Sequence, residues 1–568
     1  LEIEREEVEM RCEQLRRAQQ FLRASGTRPL PDGTLCERYE FRHELYRHVL
    51  QGRVTAGRRC GYHLRIAERG VAAWGDRVGE ISTELAMHFE AAGALDRAVD
   101  QLRLAAASCV ARYANREAVV HLEHALAWLA QWARNGGPER ADRPAVHRAV
   151  LQALGDALFA MGRSGDAAQA FSQLAALADT HGRPDAAVRA LLSGASALSW
   201  HDREACLAAV EHACVRAAEL EDERLVAHVS GLAGYWHLLW HGWRDADEQA
   251  SRRAVEVAER HDDRGLLCTH VTRLAWFACL RADYVEAMEL AARGRRLAGD
   301  VGDSLDFLVS HFFGAWAALH AGRWGATRQL LQDGLDMADR NEHALWAALF
   351  RLQLAWLALE CRDGQQALQL VAEAREATAA AGHPYGERLG AALWGRALLG
   401  TARVDEALQA FTAAQADERR VLMDWVLELP LADGAARAHL ARGDAVAARR
   451  HAEHLLERAT SCGERGFAAL AHRALARAAP DAPTRERHLE SALELVDDER
   501  HPLAAWRVHA TAAALRVDAA EQAAEHRVRG GRVLLGLLAS LDADDPLRAS
   551  LASDPEASAL LAAARTLD

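Results

Sequence analysis

The chain has 568 residues, half of them hydrophobic and 6% aromatic, with 12 prolines and a formal net charge of −13. That length far exceeds one hydrophobic core, so the chain is multidomain or a repeat array, and an alanine–leucine-rich, proline-poor composition favours helix throughout. The acidic balance without a long basic run argues against a nucleic-acid-binding face, and all 68 basic residues are arginine, which excludes phosphate-loop, Schiff-base and kinase-type lysines.

Residues 1–75 open with a charged segment, Glu4 to Gln19, patterned as a helix. Phe21-Leu-Arg-Ala and Glu37-Arg-Tyr-Glu-Phe41 read as two short strands around a Pro31-Asp32-Gly33 turn. Phe41-Arg-His-Glu-Leu-Tyr-Arg-His-Val-Leu50, Ala56-Gly-Arg-Arg59 and His63-Leu-Arg-Ile-Ala67 follow. Helix, hairpin and helix make a winged-helix-like segment. This string resembles the junction behind the ATPase module of bacterial STAND/AAA-type transcriptional regulators, MalT-like or SARP-like. Glu84-Leu-Ala-Met-His-Phe89, Ala98-Val-Asp-Gln-Leu and Tyr113-Ala-Asn-Arg-Glu-Ala118 continue the resemblance to about residue 135. It implies a P-loop ATPase module upstream, absent from this sequence, and a helical repeat sensor downstream. Because the sequence opens on Leu1, the chain is expected to be part of a longer regulator.

Beyond residue 140 a turn followed by a small residue recurs: Gly162 to Ala167, Ala282 to Ala287, Gly322 to Thr327, Arg362 to Ala367, Ala402 to Ala407 and Gly443 to Ala448. From Ala287 onward the period is about 40 residues, which fits two helices of about 15 residues with two loops. Weaker members lie near Cys206, Asp247 and His488. One such helix pair cannot bury its own apolar stripe; stacked neighbours do. The blocks look like long tetratricopeptide repeats, so the fold expected is all-α: a right-handed tetratricopeptide-like superhelix of roughly 40-residue helical hairpins. The expected domains are the winged-helix-like segment 1–75, linking hairpins 76–140, the repeats 141–525, and capping helices 526–568 around Asp542-Ala-Asp-Asp-Pro546.

No catalytic constellation or cofactor site is expected. His43 and His48 stand five apart, about 140° round a helix, unlike a zinc-protease pair. His121/His124 and His451/His454 lack a third ligand and read as solvated helix surface. Asp283, Asp363, Asp405 and Asp444 read as capping or turn residues. The ten cysteines form no C-x-x-C pair and read as reduced thiols of a cytoplasmic protein. No apolar run approaches membrane-spanning length.

Trp236, Trp276, Trp316 and Trp356 recur every 40 residues at one place in the first helix of four units. Two readings stay open: a concave groove of indoles that grips a ligand by stacking and N–H donation, or filling between repeats. Trp240, His311, Phe312, His320 and Trp346 add aromatic and polar capacity to the groove. Arg273, Arg351 and Arg396 could clamp an anion or serve as ion-paired surface. The function expected is a sensor or scaffold that binds a protein, a peptide or a small-molecule inducer in the groove and controls the upstream ATPase. A free-standing interaction scaffold and the repeat region of a nucleotide cyclase are the alternatives.

Overall fold

The computed structural model describes residues 5–18, 21–112, 114–134, 141–200, 202–340, 343–417, 419, 421–516 and 518–566. Leu1, Glu4, Gln19 and Tyr113, named above, lie outside the described residues. The architecture is all-α and tetratricopeptide-like apart from one hairpin. It forms two compact units, Leu1–Arg183 and Pro184–Asp568.

The first unit begins with α1 (Arg5–Arg17), the antiparallel strands β1 (Leu22–Pro29) and β2 (Leu35–Phe41), and α2 (Glu44–Gly52). The strands pair Leu22 with Phe41 and Pro29 with Leu35, with a bulge at Ala24/Gly26. The His43 ring caps α2 by accepting from the Leu45 N–H at 3.2 Å. Helices α3 (Ala56–Trp74), α4 (Ser82–Ala91), α5 (Leu95–Ala111), α6 (Asn115–Arg134), α7 (Arg143–Ala160) and α8 (Ser164–Thr180) follow. Ala67, Leu85, Phe89 and Ala98 make the core under α3–α5.

The second unit is a run of helical hairpins: α9 (Pro184–Leu198), α10 (Arg203–Ala218), α11 (Glu223–His241), α12 (Asp245–Arg260), α13 (Arg264–Leu280), α14 (Tyr284–Val301), α15 (Ser304–His320) and α16 (Trp324–Arg340). Then come α17 (Ala344–Glu360), α18 (Gly364–Ala380), α19 (Pro384–Gly400), α20 (Val404–Gln415), α21 (Asp424–Arg442), α22 (Ala445–Ser461), α23 (Arg465–Arg477) and α24 (Ala482–Leu495). The tail holds α25 (Pro502–Leu515), α26 (Ala520–Ala539), α27 (Pro546–Ser553) and α28 (Pro555–Arg565). Where the sequence suggested one helix after Asp542-Ala-Asp-Asp-Pro546, there are two. Asp554 ends α27 in extended backbone and caps α28, accepting from Ala557 N–H at 3.0 Å, and Pro555 follows it as a helix-starting residue.

The regularity has a backbone cause. First helices start at residues 264, 304, 344, 384 and 424. Turn residues Ala282, Gly322, Arg362 and Ala402 all have positive φ. The N–H after each closes back on the carbonyl five residues earlier: Asp283 to Ala278 at 3.0 Å, Arg323 to Ala318 at 2.8 Å, Asp363 to Ala358 at 2.8 Å and Arg403 to Leu398 at 2.9 Å. This left-handed C-terminal cap satisfies the ending helix's carbonyls. Asp283, Asp363 and Asp444 then cap the next helix, accepting from Glu286, Gln366 and Ala447 N–H groups. Asp405 departs from that expectation: Arg403 holds the N-cap position of α20, and Asp405 sits inside its first turn. The small residues after the turns, Ala287, Thr327, Ala367, Ala407 and Ala448, are fully buried, which lets paired helices approach closely.

Successive turns of this superhelix touch. The Trp200 ring meets His383 at 4.4 Å, the Met423 N–H donates to the Leu239 carbonyl at 2.9 Å, and a Cβ placed on Gly322 would stand 3.1 Å from Pro502 Cγ. These partners stand about four and a half hairpin periods apart. The array therefore fills its own interior, and helices α25–α28 complete it: the Ser540 hydroxyl accepts from Trp324 N–H at 3.0 Å, and Glu556 pairs with Arg362 at 3.0 Å.

Candidate functional site

The tryptophan column lies in this closed interior. Trp236, Trp276, Trp316 and Trp356 are 8, 0, 5 and 2% exposed. Trp316 meets Trp276 edge-on at 5.4 Å and Trp356 at 5.1 Å. The column is thus enclosed instead of lining an open groove: its rings pack on one another between adjacent hairpins, and Trp276 stacks on Phe313 at 4.7 Å. Phe312 and Trp346 lie with ring centres 5.9 Å apart and join the column through Phe313, 6.1 Å from Phe312 and 4.7 Å from Trp276, and His311 bonds its ring nitrogen to the Phe307 carbonyl. Trp240 is half-buried, its indole beside the buried Cys206 thiol.

At one end the column reaches a half-open cavity of about 60 Å³. His320 and Trp356 are the two candidate groove residues that line it. The wall also takes Tyr284 from α14, Glu360 from α17, Arg396 from α19, Asp433 and Arg437 from α21, and Phe467, Leu470 and Arg473 from α23. Arg500, His501, Leu503 and Arg507 close it at the start of α25, and Glu464 stands at the start of α23. Several neighbouring turns of the repeat thus converge on one space. His320 stacks on Trp316 at 4.8 Å and on Tyr284 at 5.6 Å, giving the cavity an aromatic side.

The opposite side is ionic. Glu360 accepts from Arg396 at 2.8 Å, from Arg507 at 2.6 Å and from the Trp356 indole N–H at 3.1 Å. Burial alone would raise the Glu360 carboxyl, yet Arg507 and Arg396 hold it far below the usual carboxylate range. Arg396 also lies over the Trp356 ring, 5.1 Å from its centre. Arg473 donates to the Arg507 carbonyl at 3.0 Å and the Thr511 hydroxyl at 2.8 Å, and burial pulls its guanidinium down to about 9. Glu464 is the reverse case: burial pushes it up to about 7, with the Tyr284 hydroxyl as its hydrogen-bond partner. Burial also lowers His320 and His501.

Of the arginines flagged in the sequence, only Arg396 reaches the cavity. Arg273 is buried in an ion pair with Asp306, and Arg351 faces Asp339 and Glu373 at 3.6 and 3.5 Å. Arg437, Arg473, Arg500, Arg507, Glu360 and Glu464 were not singled out by sequence. A signal for part of this existed: Arg396 stands 40 residues after Trp356, as the fifth member of the tryptophan register, and Glu360 stands 40 after His320.

The cavity wall has no serine, threonine or cysteine, and among the described residues no group of three metal-ligating side chains comes together. His451, paired in the sequence reading with His454, instead stacks on His439 at 5.2 Å. Among the described residues no helix is long and apolar enough to cross a membrane.

No protein-family model matches the chain, and no curated protein does. Among solved structures it is similar to a Rap protein complexed with competence and sporulation factor, with 11% identity and a TM-score of 0.50 over 62% of this chain and 99% of that one. It also matches a plasmid Rap conjugation gene regulator in complex with the Phr* peptide, with 12% identity and a TM-score of 0.43 over 63% and 98% of the two chains. A third match is a signal transduction ATPase with numerous domains (STAND) carrying a tetratricopeptide repeat sensor, from Pyrococcus horikoshii. It has 13% identity and a TM-score of 0.34 over 76% of this chain and 58% of that one. At these identities the likeness is one of fold: helical hairpins stacked in a tetratricopeptide-like array.

Proposed function

We propose that this chain is a binding module, not a catalytic one: the sensor and scaffold region of a STAND-type signal-transduction regulator. Its repeat array takes a peptide, protein segment or small inducer at the cavity between superhelical turns, and passes that occupancy to an ATPase module elsewhere in the regulator. The observation that carries the binding reading is the cavity, where aromatic and arginine side chains from α14 to α25 converge. A ligand there touches several hairpins at once, so it has different contacts in a tighter and a looser winding of the array, and that difference is what shifts a population. The Rap protein, which shares the fold, was crystallised with competence and sporulation factor, which supports an array of this kind as a ligand holder. The STAND assignment rests on the residues from Phe41 to Ala67.

The test is selection of binders from a random-peptide display library on the purified chain, followed by cross-linking of bound peptides. Peptides should compete for one site, cross-link to helices α21, α23 and α25, and lose binding in a Phe467→Glu variant. Selection that returns nothing, or only peptides indifferent to that substitution, would remove the reading.

A further inference from the structure

Five arginines line the cavity, Arg396, Arg437, Arg473, Arg500 and Arg507, against three acidic residues, Glu360, Asp433 and Glu464. Glu360 is already shared between two of the arginines. Asp433 is held by Arg437 at 3.4 Å on the same helix. Glu464, raised to about 7, is only about half ionised at neutral pH. Arg473 has its counter-charge outside the wall, in Glu556 at 3.4 Å, whereas Arg396 and Arg507 share the single carboxylate of Glu360, so the wall carries positive charge that its carboxylates do not balance. The side chains concerned are deeply enclosed: Arg396, Arg473 and Arg507 are 8, 5 and 5% exposed. The Nε–H groups of Arg396 and Arg507 have no acceptor among the described residues, although buried donors of this kind nearly always find one. Burying unbalanced guanidinium groups is costly unless a counter-charge arrives, and a cavity that holds such groups beside an aromatic wall is a built receptor for an anion.

We propose that this cavity binds an oxyanion group, a carboxylate or a phosphate, whose ligand lays an aromatic or apolar body against Tyr284, Trp356 and Phe467. The inference rests on reading the cavity as the array's binding site, and specifies what enters it. Arg437 and Arg500 reach the anion from the open side, while Arg396, Arg473 and Arg507 hold the floor of the site. The anion adds to Glu360 as a counter-charge instead of displacing it, because Glu360 already has its two arginines and the Trp356 N–H. A bound anion ties α21 and α23 to the start of α25 and so tightens the winding of the array.

The experiment is thermal unfolding and calorimetric titration of the whole chain with benzoate, inorganic phosphate and the neutral isostere benzamide, at one ionic strength set with chloride. Benzoate or phosphate should raise the unfolding midpoint in a saturable way, and benzamide should not. The two anions distinguish a carboxylate ligand from a phosphate one, and response to either supports the inference. The Arg437→Gln/Arg500→Gln variant removes charge from the open side and leaves the Glu360 cluster intact. It should lose affinity for the responding anion by about tenfold or more, measured against its own unliganded midpoint. Equal response to benzoate and benzamide, an anion response unchanged in the variant, or no response to either anion would overturn the inference. Peptides selected for the cavity without regard to acidic groups would also overturn it and leave the binding role standing. Anion binding without any selected peptide would do the opposite.

Discussion

Glu360 and Arg507 are 147 residues apart in the chain and 2.6 Å apart in the fold. Glu360 is the last residue of α17, and Arg507 lies in the second turn of α25. With Arg396 on α19, they make a three-member charge cluster that fixes the tail helices to the middle of the array. All three side chains are nearly excluded from solvent, so the cluster's integrity depends on each member having its partner.

Removing the shared carboxylate should therefore cost more than a surface pair would. Glu360→Gln leaves Arg396 and Arg507 charged and buried, and is expected to destabilise the second unit by about 3–5 kcal/mol. A Glu360→Leu/Arg396→Leu/Arg507→Leu triple variant removes the charges together and is expected to recover much of that loss. Equilibrium urea unfolding of the three proteins checks this. A single variant as stable as the parent would mean the cluster is solvated.

Glu464 should give the second unit a pH dependence of unusual sign. Its folded-state value is about 7, above the ordinary value near 4.3 for an unfolded glutamate. Between those values the folded chain binds more protons than the unfolded one, so this group's contribution is complete below about pH 4 and falls as pH rises through 7. The loss is on the order of 3–4 kcal/mol. The difference in stability between the parent and Glu464→Gln, followed from pH 5 to 8, should shrink or reverse as the glutamate ionises. A difference that stays constant across that range would show that Glu464 titrates normally.

The repeat was legible because its causes are local. A left-handed turn residue, an aspartate cap and a small residue four positions later all recur in the printed sequence, as at Ala282, Asp283 and Ala287. The N-terminal strands were legible for the same reason, through the Pro31-Asp32-Gly33 turn. The cavity was not, because it depends on how tightly the array winds, which is the sum of small rotations at every hairpin interface. Trp356 and Arg507 share no sequence relationship that would place them on one wall. Only the register of the column, continued to Arg396, pointed towards the ionic end.

Acid should loosen the array from a different place. His228 on α11 and His270 on α13 share a hydrogen bond of 3.1 Å between their rings. Burial brings His228 down to about 4 and His270 well below its ordinary value, with Arg189 and Arg273 adding to the effect on His228 against Asp263 and Asp306. The folded values lie below the unfolded ones, so the neutral pair's contribution is complete above about pH 6.5 and is lost as pH falls towards 4. For His228 alone that is on the order of 3 kcal/mol. A His228→Gln/His270→Gln variant keeps hydrogen-bonding groups there without the titration, so its stability should fall less steeply between pH 6.5 and 4. An identical slope in parent and variant would assign the acid sensitivity elsewhere.

The close helix packing has its own test at Phe411. This ring on α20 sits between Gly395 on α19 and Gly434 on α21, where an added Cβ would stand 2.5 and 2.4 Å from its carbons. The same relation recurs at a spacing of 16 residues: Gly155 with Phe171 in the first unit and Gly334 with Phe350 in the second. Alanine favours helix over glycine by about 1 kcal/mol, so a loosely packed site would gain stability from Gly395→Ala. Here the ring cannot retreat, because Gly434 backs it, and overpacking should outweigh propensity by about 1–3 kcal/mol. Phe411→Leu opens space for the methyl group. The Gly395→Ala/Phe411→Leu pair should therefore lose less than the sum of the two single losses, by about 0.5–3 kcal/mol. Strict additivity in chemical unfolding would mean that the glycine and the ring do not touch in solution.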